Sequence, residues 1–463
     1  MFELRSYQVN LINRIVNSMR KGNRTIIVQS PPRTGKTVVM AEIARRTTLN
    51  NKNVMFLIHR KEVLDQAKNT FEKQGVKPEL LTAGMVQTLS RRIDKLTEPR
   101  LILVDEAHHA LAKSYRKILD KFSNAYILLF TATPIRLGNK QLDEIADDIV
   151  LGQSIKELTE QGFLAPFRYF QPPSDFSKSK LKKNSTGDFS KESMDEALSN
   201  KLYGHIVKQY QRIASGLQAV VYTHSVESAI RVANEFNDTG IVAAEVDGNT
   251  PPDKRDEIVN KFRDKKIKIL VNVNLFTEGV DLPDVDCVIM ARPTTSLALY
   301  LQFSMRCLNP REGKTAIIID HAANFKKFGY PDSDRDWKLA IKSKGKRTSK
   351  NNEEELGISI ATCDYCFAVV ETKDIKDGKC PVCEHTLKVP EKAKKIADVD
   401  LIEAKEERAR LAKELAENKI LQKVATKSVN ELTTHAELKA YAKLHGYKNG
   451  WVYYMSKRKG IFK

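Results

Sequence analysis

Secretory and membrane-spanning signatures are missing from this chain. The opening residues, MFELRSYQVN, carry an acid at Glu3 and no apolar run of signal-peptide length. No window approaches the roughly 18 consecutive apolar residues of a membrane helix. The longest clean apolar runs are strand-sized, as at Ala316–Ile319. A soluble, non-secreted protein of the cytoplasm is therefore expected. Cysteine is scarce: six among 463 residues are too few and too unevenly placed for a disulfide scaffold. Internal repeats of solenoid length are absent as well. Collagen-like and wholly disordered chains are excluded by a composition of 41% hydrophobic and 29% charged residues, enough for at least one substantial core. Acids are in deficit. The difference between 77 Lys+Arg and 58 Asp+Glu is +19, which points to a polyanionic partner, because basic surface displaces the counterions condensed on a phosphate backbone.

What is present is alternation. Apolar runs at 25–28, 54–58, 101–104 and 126–130 are short, rich in Ile, Val, Leu and aromatics, and bounded by polar loops. Amphipathic segments lie between them, as at 63–71, where Val63, Leu64, Ala67 and Phe71 recur at helical spacing. Fully apolar strands alternating with helices predict a parallel sheet covered on both faces. A polar stretch at 174–200 interrupts the pattern, which returns with strand candidates at 219–223, 242–246, 267–271, 285–290 and 315–319. The chain thus divides into an N-terminal α/β domain (1–172), a linker (173–200) and a second α/β domain (201–337). A basic linker (338–356), a cysteine-bearing module (357–390) and a charged helix with a basic, aromatic tail (391–463) follow.

The first predicted strand runs into Ser30-Pro-Pro-Arg33-Thr34-Gly35-Lys36-Thr37 and then into a helical stretch. This is the phosphate-binding loop pattern GxxxxGK[ST], with Ser30 in place of the first glycine. Gly35 lets backbone N–H groups face phosphate oxygens, Lys36 supplies a point charge, Thr37 ligates Mg²⁺ and the helix start adds its positive dipole end. A second Gly-Lys-Thr at 313–315 precedes a strand and has no helix after it, so it reads as a chance match. The strand at 101–104 ends in Asp105-Glu106-Ala107-His108-His109, about 70 residues after Lys36. An acidic pair at the carboxyl end of a parallel strand stands beside the phosphate loop in such folds. Asp105 suits the Mg²⁺ shell, and Glu106 suits orienting and deprotonating an attacking water.

These motifs, in this order, resemble superfamily 2 helicases of the DEAH-type branch, which includes restriction-enzyme motor subunits and phage branch-migration helicases. The resemblance runs from Leu4 to about Asp320, roughly two thirds of the chain. It implies two tandem RecA-like domains with ATP bound between them. Leu4-Arg5-Ser6-Tyr7-Gln8 resembles the element upstream of the phosphate loop, where Gln8 would read adenine and Arg5 or Tyr7 would pack nearby. His59 and Arg60 begin a stretch resembling motif Ia, and Gln87 and Thr88 belong to one resembling motif Ib. Both line the nucleic-acid groove in relatives. Thr131-Ala132-Thr133-Pro134 resembles motif III, which with His108 couples hydrolysis to movement. Tyr222-Thr223-His224-Ser225 resembles motif IV. In the stretch 274–281, resembling motif V, Thr277 would face the strand while Gly279 and Asp281 face the nucleotide. The stretch 302–310 resembles motif VI, placing Gln302 and Arg306 at the nucleotide. Two positions there depart from the family: Met305 replaces a glycine and Asn309 the second arginine, with Arg311 as a possible substitute. The resemblance implies an ATP-dependent helicase or translocase acting on forked or branched DNA, with RNA as the alternative nucleic acid. No nuclease motif is visible, so service as a restriction motor would require partner chains. A nucleic-acid-binding protein with a weakened ATPase is the other alternative that Asn309 raises.

Cys363-x-x-Cys366 and Cys380-x-x-Cys383, 13 residues apart, have the spacing of two zinc-ribbon knuckles, four thiolates completing a tetrahedral shell for Zn²⁺. Near the end, Trp451, Tyr453 and Tyr454 are followed by Lys457 and Arg458. Rings beside cations can stack bases and bind phosphates, and Trp451 can equally anchor a small core.

Overall fold

The computed structural model describes residues 1–107, 110–134, 142–172, 181–184, 188–190, 192–194, 200–273, 275, 282, 285–337, 360–387, 424, 429–445, 447 and 449–461. The predicted charged helix at 391–423 lies outside the described residues. By its contacts the chain forms two compact units. One comprises Met1–Ile358, Thr362–Val370 and Lys379–His385; the other comprises Ser359–Ala361, Glu371–Gly378 and Thr386–Lys463.

The first unit contains two six-stranded parallel sheets. In the first sheet, β1 (Thr25–Gln29), β2 (Val54–Ile58), β3 (Leu81–Met85), β4 (Leu101–Val104), β5 (Tyr126–Thr131) and β6 (Asp148–Leu151) lie in the order β3-β2-β4-β5-β1-β6. Period-two alternation sends successive side chains to opposite faces. Ile26, Val28, Phe56, Leu103 and Phe130 pack with helices α1 (Ser6–Arg20), α2 (Lys36–Leu49) and α3 (Lys61–Gln74). Ile27, Met55, Leu57, Ile102 and Leu129 face the other way, against α4 (Val86–Arg91) and α5 (Lys113–Lys121). Continuous apolar strands are what a sheet buried on both faces requires.

The second sheet holds β7 (Phe167–Phe170), β8 (Ala219–Tyr222), β9 (Ala243–Val246), β10 (Ile269–Asn272), β11 (Cys287–Met290) and β12 (Ala316–Asp320), in the order β7-β12-β11-β8-β10-β9. One predicted boundary moves. Residues 167–170, assigned to the first domain, pair in parallel with β12, from Phe167 with Ala316 to Phe170 with Ile319. The first lobe therefore ends before β7. The predicted linker also has structure where it is described. Lys183 and Phe189 form an antiparallel bridge, and Met194 is buried against Leu181 and Phe189. Three strands of these two sheets were not predicted: β3, β6 and β7. All three are edge strands, covered on one side only, and their sequences LTAGM, DIVL and FRYF are correspondingly less apolar.

In the second unit, the helices His435–Leu444 and Asn449–Arg458 pack around Leu432, Leu438, Ala442, Val452 and Met455. Among the described residues no helix is long and apolar enough to cross a membrane.

Candidate nucleotide site

The carboxyl end of β1 leads directly into the phosphate loop, and the loop is tied down by its own polar groups. The Thr34 hydroxyl donates to the Pro31 carbonyl at 2.7 Å and lies 2.7 Å from the Ser30 hydroxyl. Ser30, standing where a glycine is usual, therefore contributes a hydrogen bond to the loop. From α1, the Tyr7 hydroxyl and Gln8 Nε2 both donate to the Thr34 carbonyl, at 3.0 and 3.1 Å. Gln8 Oε1 accepts from the Arg5 N–H at 3.0 Å, so both polar ends of Gln8 are engaged within the protein here. The Arg5 guanidinium lies 5.5 Å from the Phe163 ring, which meets Tyr7 edge-on at 4.8 Å. Gly35 caps α2 at φ +72°, and a Cβ there would stand 2.6 Å from Gln8 Nε2. The left-handed backbone favours glycine at this turn, and a Cβ there would push the Gln8 amide off the Thr34 carbonyl.

Lys36 opens α2, and its Nζ lies 3.2 Å from Glu106 Oε1, with both side chains largely buried. Glu106 holds a left-handed backbone at φ +48°, and its N–H donates to Asp105 Oδ1 at 2.9 Å. The predicted lysine and acidic pair are thus brought together at the ends of β1 and β4. Thr37 and Asp105 offer hard oxygen donors of the kind Mg²⁺ takes. Thr131 and Thr133 are buried in a tight turn after β5, where Thr131 Oγ1 donates to the Thr133 carbonyl at 2.9 Å. That turn is bonded to the phosphate loop, because the Ser30 N–H donates to the Thr131 carbonyl at 3.0 Å.

Arg306 approaches from the second lobe. Ser296 caps the helix Leu297–Ser304, which carries Gln302; the 3-10 turn Met305–Cys307 then carries Arg306, and both side chains are buried. Phe303 on this helix stacks on Tyr222 at 4.0 Å. Burial raises the Tyr222 phenol above its ordinary pKa, while the guanidinium charge of Arg306, its hydrogen bond to Tyr222, and the charge of Arg33 oppose the rise. Arg33 crosses between lobes. Its Nη2 donates to the Leu282 carbonyl at 3.1 Å and to the Arg306 carbonyl at 3.2 Å. The phosphate loop and the Arg306 turn are consequently in direct contact.

Arg311 stands apart from this contact. It pairs with Asp286 at 2.8 Å, at the amino end of β11, the end of the strand opposite the nucleotide side. His59 and Arg60 follow β2, and Gln87 and Thr88 open α4 after β3, so all four lie at the carboxyl edge of two adjacent strands. His108, Thr277, Gly279 and Asp281 lie outside the described residues.

Asp188 was missed by sequence reasoning. Its carboxylate accepts from Arg292 Nη2 at 3.0 Å, the Thr294 hydroxyl at 3.1 Å and the Thr295 N–H at 2.7 Å. It fixes the turn that leads into the Gln302 helix. A single acid in a Ser- and Lys-rich stretch carries no pattern that announces such a contact.

The four predicted zinc ligands do converge. Their Sγ atoms all lie within 4.8 Å of one another, and the Cys363–Cys383 and Cys366–Cys380 pairs are 3.7 Å apart. A tetrahedron with Zn–S of about 2.3 Å has an edge of about 3.8 Å, so the cluster fits zinc. The two knuckles repeat one turn. Phe367 and Glu384 each follow the second cysteine of a pair, each holds positive φ, and each donates its N–H to the first cysteine's carbonyl at 2.8 Å. Trp451 packs on the second unit's core and stacks on Tyr447 at 4.7 Å. Lys457 and Arg458 are exposed on the same helix.

Comparison with known proteins agrees with this arrangement. The family described as type III restriction enzyme, res subunit, matches residues 1–136, and the helicase conserved C-terminal domain matches residues 200–310. A 51.5 kDa protein of Lactococcus phage (isolate 7-9) is 37% identical over 395 residues, covering 84% of each chain. IRC3 of Saccharomyces cerevisiae, described as a candidate ATP-dependent helicase, is 29% identical over 350 residues, covering 67% of this chain and 50% of its own. A fragment described as an HsdR subunit of a type I restriction enzyme from Vibrio vulnificus shares the fold, with a TM-score of 0.56 at 23% identity, covering 71% of this chain and 66% of its own. The chain belongs to the superfamily 2 helicases and is similar to restriction-enzyme motors.

Proposed function

We propose that this protein is an ATP-driven DNA motor, a helicase or translocase that acts on forked or branched DNA. The observation that carries the reading is the contact between lobes beside the ion pair: Lys36 stands against Glu106, and Arg33 of the same loop touches the Arg306 turn. Lys36 would exchange Glu106 for the β/γ-phosphates. Glu106, released, would accept the proton of the attacking water. Arg306 would neutralise charge growing on the transferred phosphoryl group. Mg²⁺, held by Thr37 and Asp105, would supply charge neutralisation across the phosphates. Closure of the lobes is favoured only while the triphosphate spans them, so hydrolysis loosens the grip on nucleic acid lying across His59, Arg60, Gln87 and Thr88. Service as the motor of a restriction system with separate nuclease chains is the alternative favoured by the family matched at residues 1–136. A binding protein with weakened ATPase is the alternative favoured by Asn309 and the engagement of Arg311 with Asp286.

The test is ATP turnover with and without single- and double-stranded DNA, followed by unwinding of forks, four-way junctions and RNA duplexes. Stimulated turnover with fork or junction remodelling is expected. Turnover that DNA does not change would leave only the binding protein.

A further inference from the structure

The second unit wears its aromatic rings on the outside. Four tyrosines are strongly exposed among the described residues, and three of them, Tyr447, Tyr453 and Tyr454, lie in this unit. On the helix Asn449–Arg458 the inward positions are Val452, Met455 and Ser456, while Tyr453 and Tyr454 remain 63% and 62% exposed. Exposed rings gathered on one small unit, rather than scattered singly, mark an interaction surface. One helical turn beyond each ring stands a cation: Lys457 follows Tyr453 and Arg458 follows Tyr454 at four-residue spacing. Trp451, three residues before Tyr454, packs against the core on the same helix. Its plane lies 20° from Tyr447 and 18° from Tyr441, with centroids 4.7 and 6.0 Å away. The sequence here is basic. From Glu431 to Lys463 there are seven Lys and Arg and two acids, Glu431 and Glu437, the latter buried and capping its own helix.

We propose that this face is a second nucleic-acid grip, specific for single strands, with unpaired bases stacking on Tyr453 and Tyr454 and phosphates pairing with Lys457 and Arg458. A duplex hides its base faces, whereas a single strand presents them to any accessible ring. Phosphates spaced along the strand meet the cations without regard to sequence. The proposal names a binding surface of the motor described above and rests on that reading only for the partner's being nucleic acid.

The test uses the full-length chain and two fluorescein-labelled probes, an oligothymidine of about 20 nucleotides and a blunt duplex of the same length. Tyr453→Ala with Tyr454→Ala is expected to weaken binding of the oligothymidine by roughly tenfold or more. Duplex binding should change less than about twofold, as should the maximal ATP turnover rate at saturating DNA. Tyr453→Phe with Tyr454→Phe keeps the rings and should restore single-strand affinity, which separates stacking from misfolding. Lys457→Gln with Arg458→Gln should lower the salt dependence of single-strand binding by about two counterions. Unchanged oligothymidine affinity in the alanine pair, equal loss on both probes, or a phenylalanine pair as weak as the alanine pair would each overturn the proposal. A wild-type chain that hydrolyses no ATP but shows the ring-dependent binding would sink the motor reading and leave this one standing.

Discussion

The two lobes share a parallel-sheet plan but hold the charged residues at their contact by different means. In the first lobe the phosphate loop is fastened by directional hydrogen bonds: Tyr7 and Gln8 converge on one carbonyl, and Ser30 and Thr34 close the loop on itself. In the second lobe Arg306 sits on a short turn whose helix is located by a ring stack, Tyr222 on Phe303, and by the anchored turn at Asp188. Hydrogen bonds fix a loop's shape, whereas stacked rings fix where a helix lies. A loop that must present several N–H groups to phosphates at once needs the first kind of support, and one long side chain on a helix end needs only the second. The contrast yields tests that pull the two means of support apart.

The largest effect should come from the second lobe. Arg306→Ala is expected to lower DNA-stimulated ATP turnover by about 10³–10⁵-fold, read as the maximal rate under steady-state conditions. A loss below tenfold would mean that only the first lobe serves the reaction. Arg33→Ala removes both bonds that reach across to the second lobe, and turnover should fall by about tenfold, most of it in the maximal rate rather than in KM. If KM alone rises, Arg33 serves binding and not the communication between lobes. Gly35→Ala attacks the polar fastening, since its Cβ collides with Gln8 and its backbone is strained at φ +72°. KM for ATP should rise several-fold, and thermal unfolding should shift down by roughly 2–4 °C.

The smallest effect concerns the scaffold beneath that loop. Glu42 on α2 is held well below its ordinary 4.5, at about 2, chiefly by its hydrogen bond from Arg45, with Gln74 and Arg46 adding to it. A carboxyl whose folded pKa is lowered stabilises the fold fully above its unfolded value and loses that contribution as pH falls. Wild type should therefore lose stability between pH 4.5 and about 2, and Glu42→Gln should flatten that limb while lowering Tm near neutrality by roughly 2 °C. Identical acid limbs in thermal melts of the two proteins would remove Glu42 from the account.

Central strands were legible because their burial on both faces leaves continuous apolar runs, as in Val54–Ile58 and Leu101–Val104. The motif residues were legible because phosphate chemistry demands a glycine, a lysine and an acidic pair in a set order. Three of the four edge strands of these sheets, β3, β6 and β7, were not, since they read as mixed polarity, whereas the edge strand β9 was. Contacts made at long range were invisible too. Nothing local marks Arg33 for the Leu282 and Arg306 carbonyls, or Asp188 for a turn more than a hundred residues away. Trp451 belongs to a third kind. Its neighbours in sequence suggested two roles, and the stack with Tyr447 puts the ring on the core while leaving its helix partners Tyr453 and Tyr454 outside.

The cysteine knuckle has a consequence for solubility. Its Ala368 forms an antiparallel bridge with Phe170, and the Phe367 carbonyl accepts the Gln171 N–H at 2.9 Å, so it hems the outermost strand of the second sheet. Were the four thiolates to hold zinc, its removal would loosen that hem and bare a line of unsatisfied amide groups, an invitation to strand-by-strand stacking between molecules. The ion's service would then be hygienic, keeping neighbouring copies apart in a crowded solution, and chelation would first announce itself as turbidity.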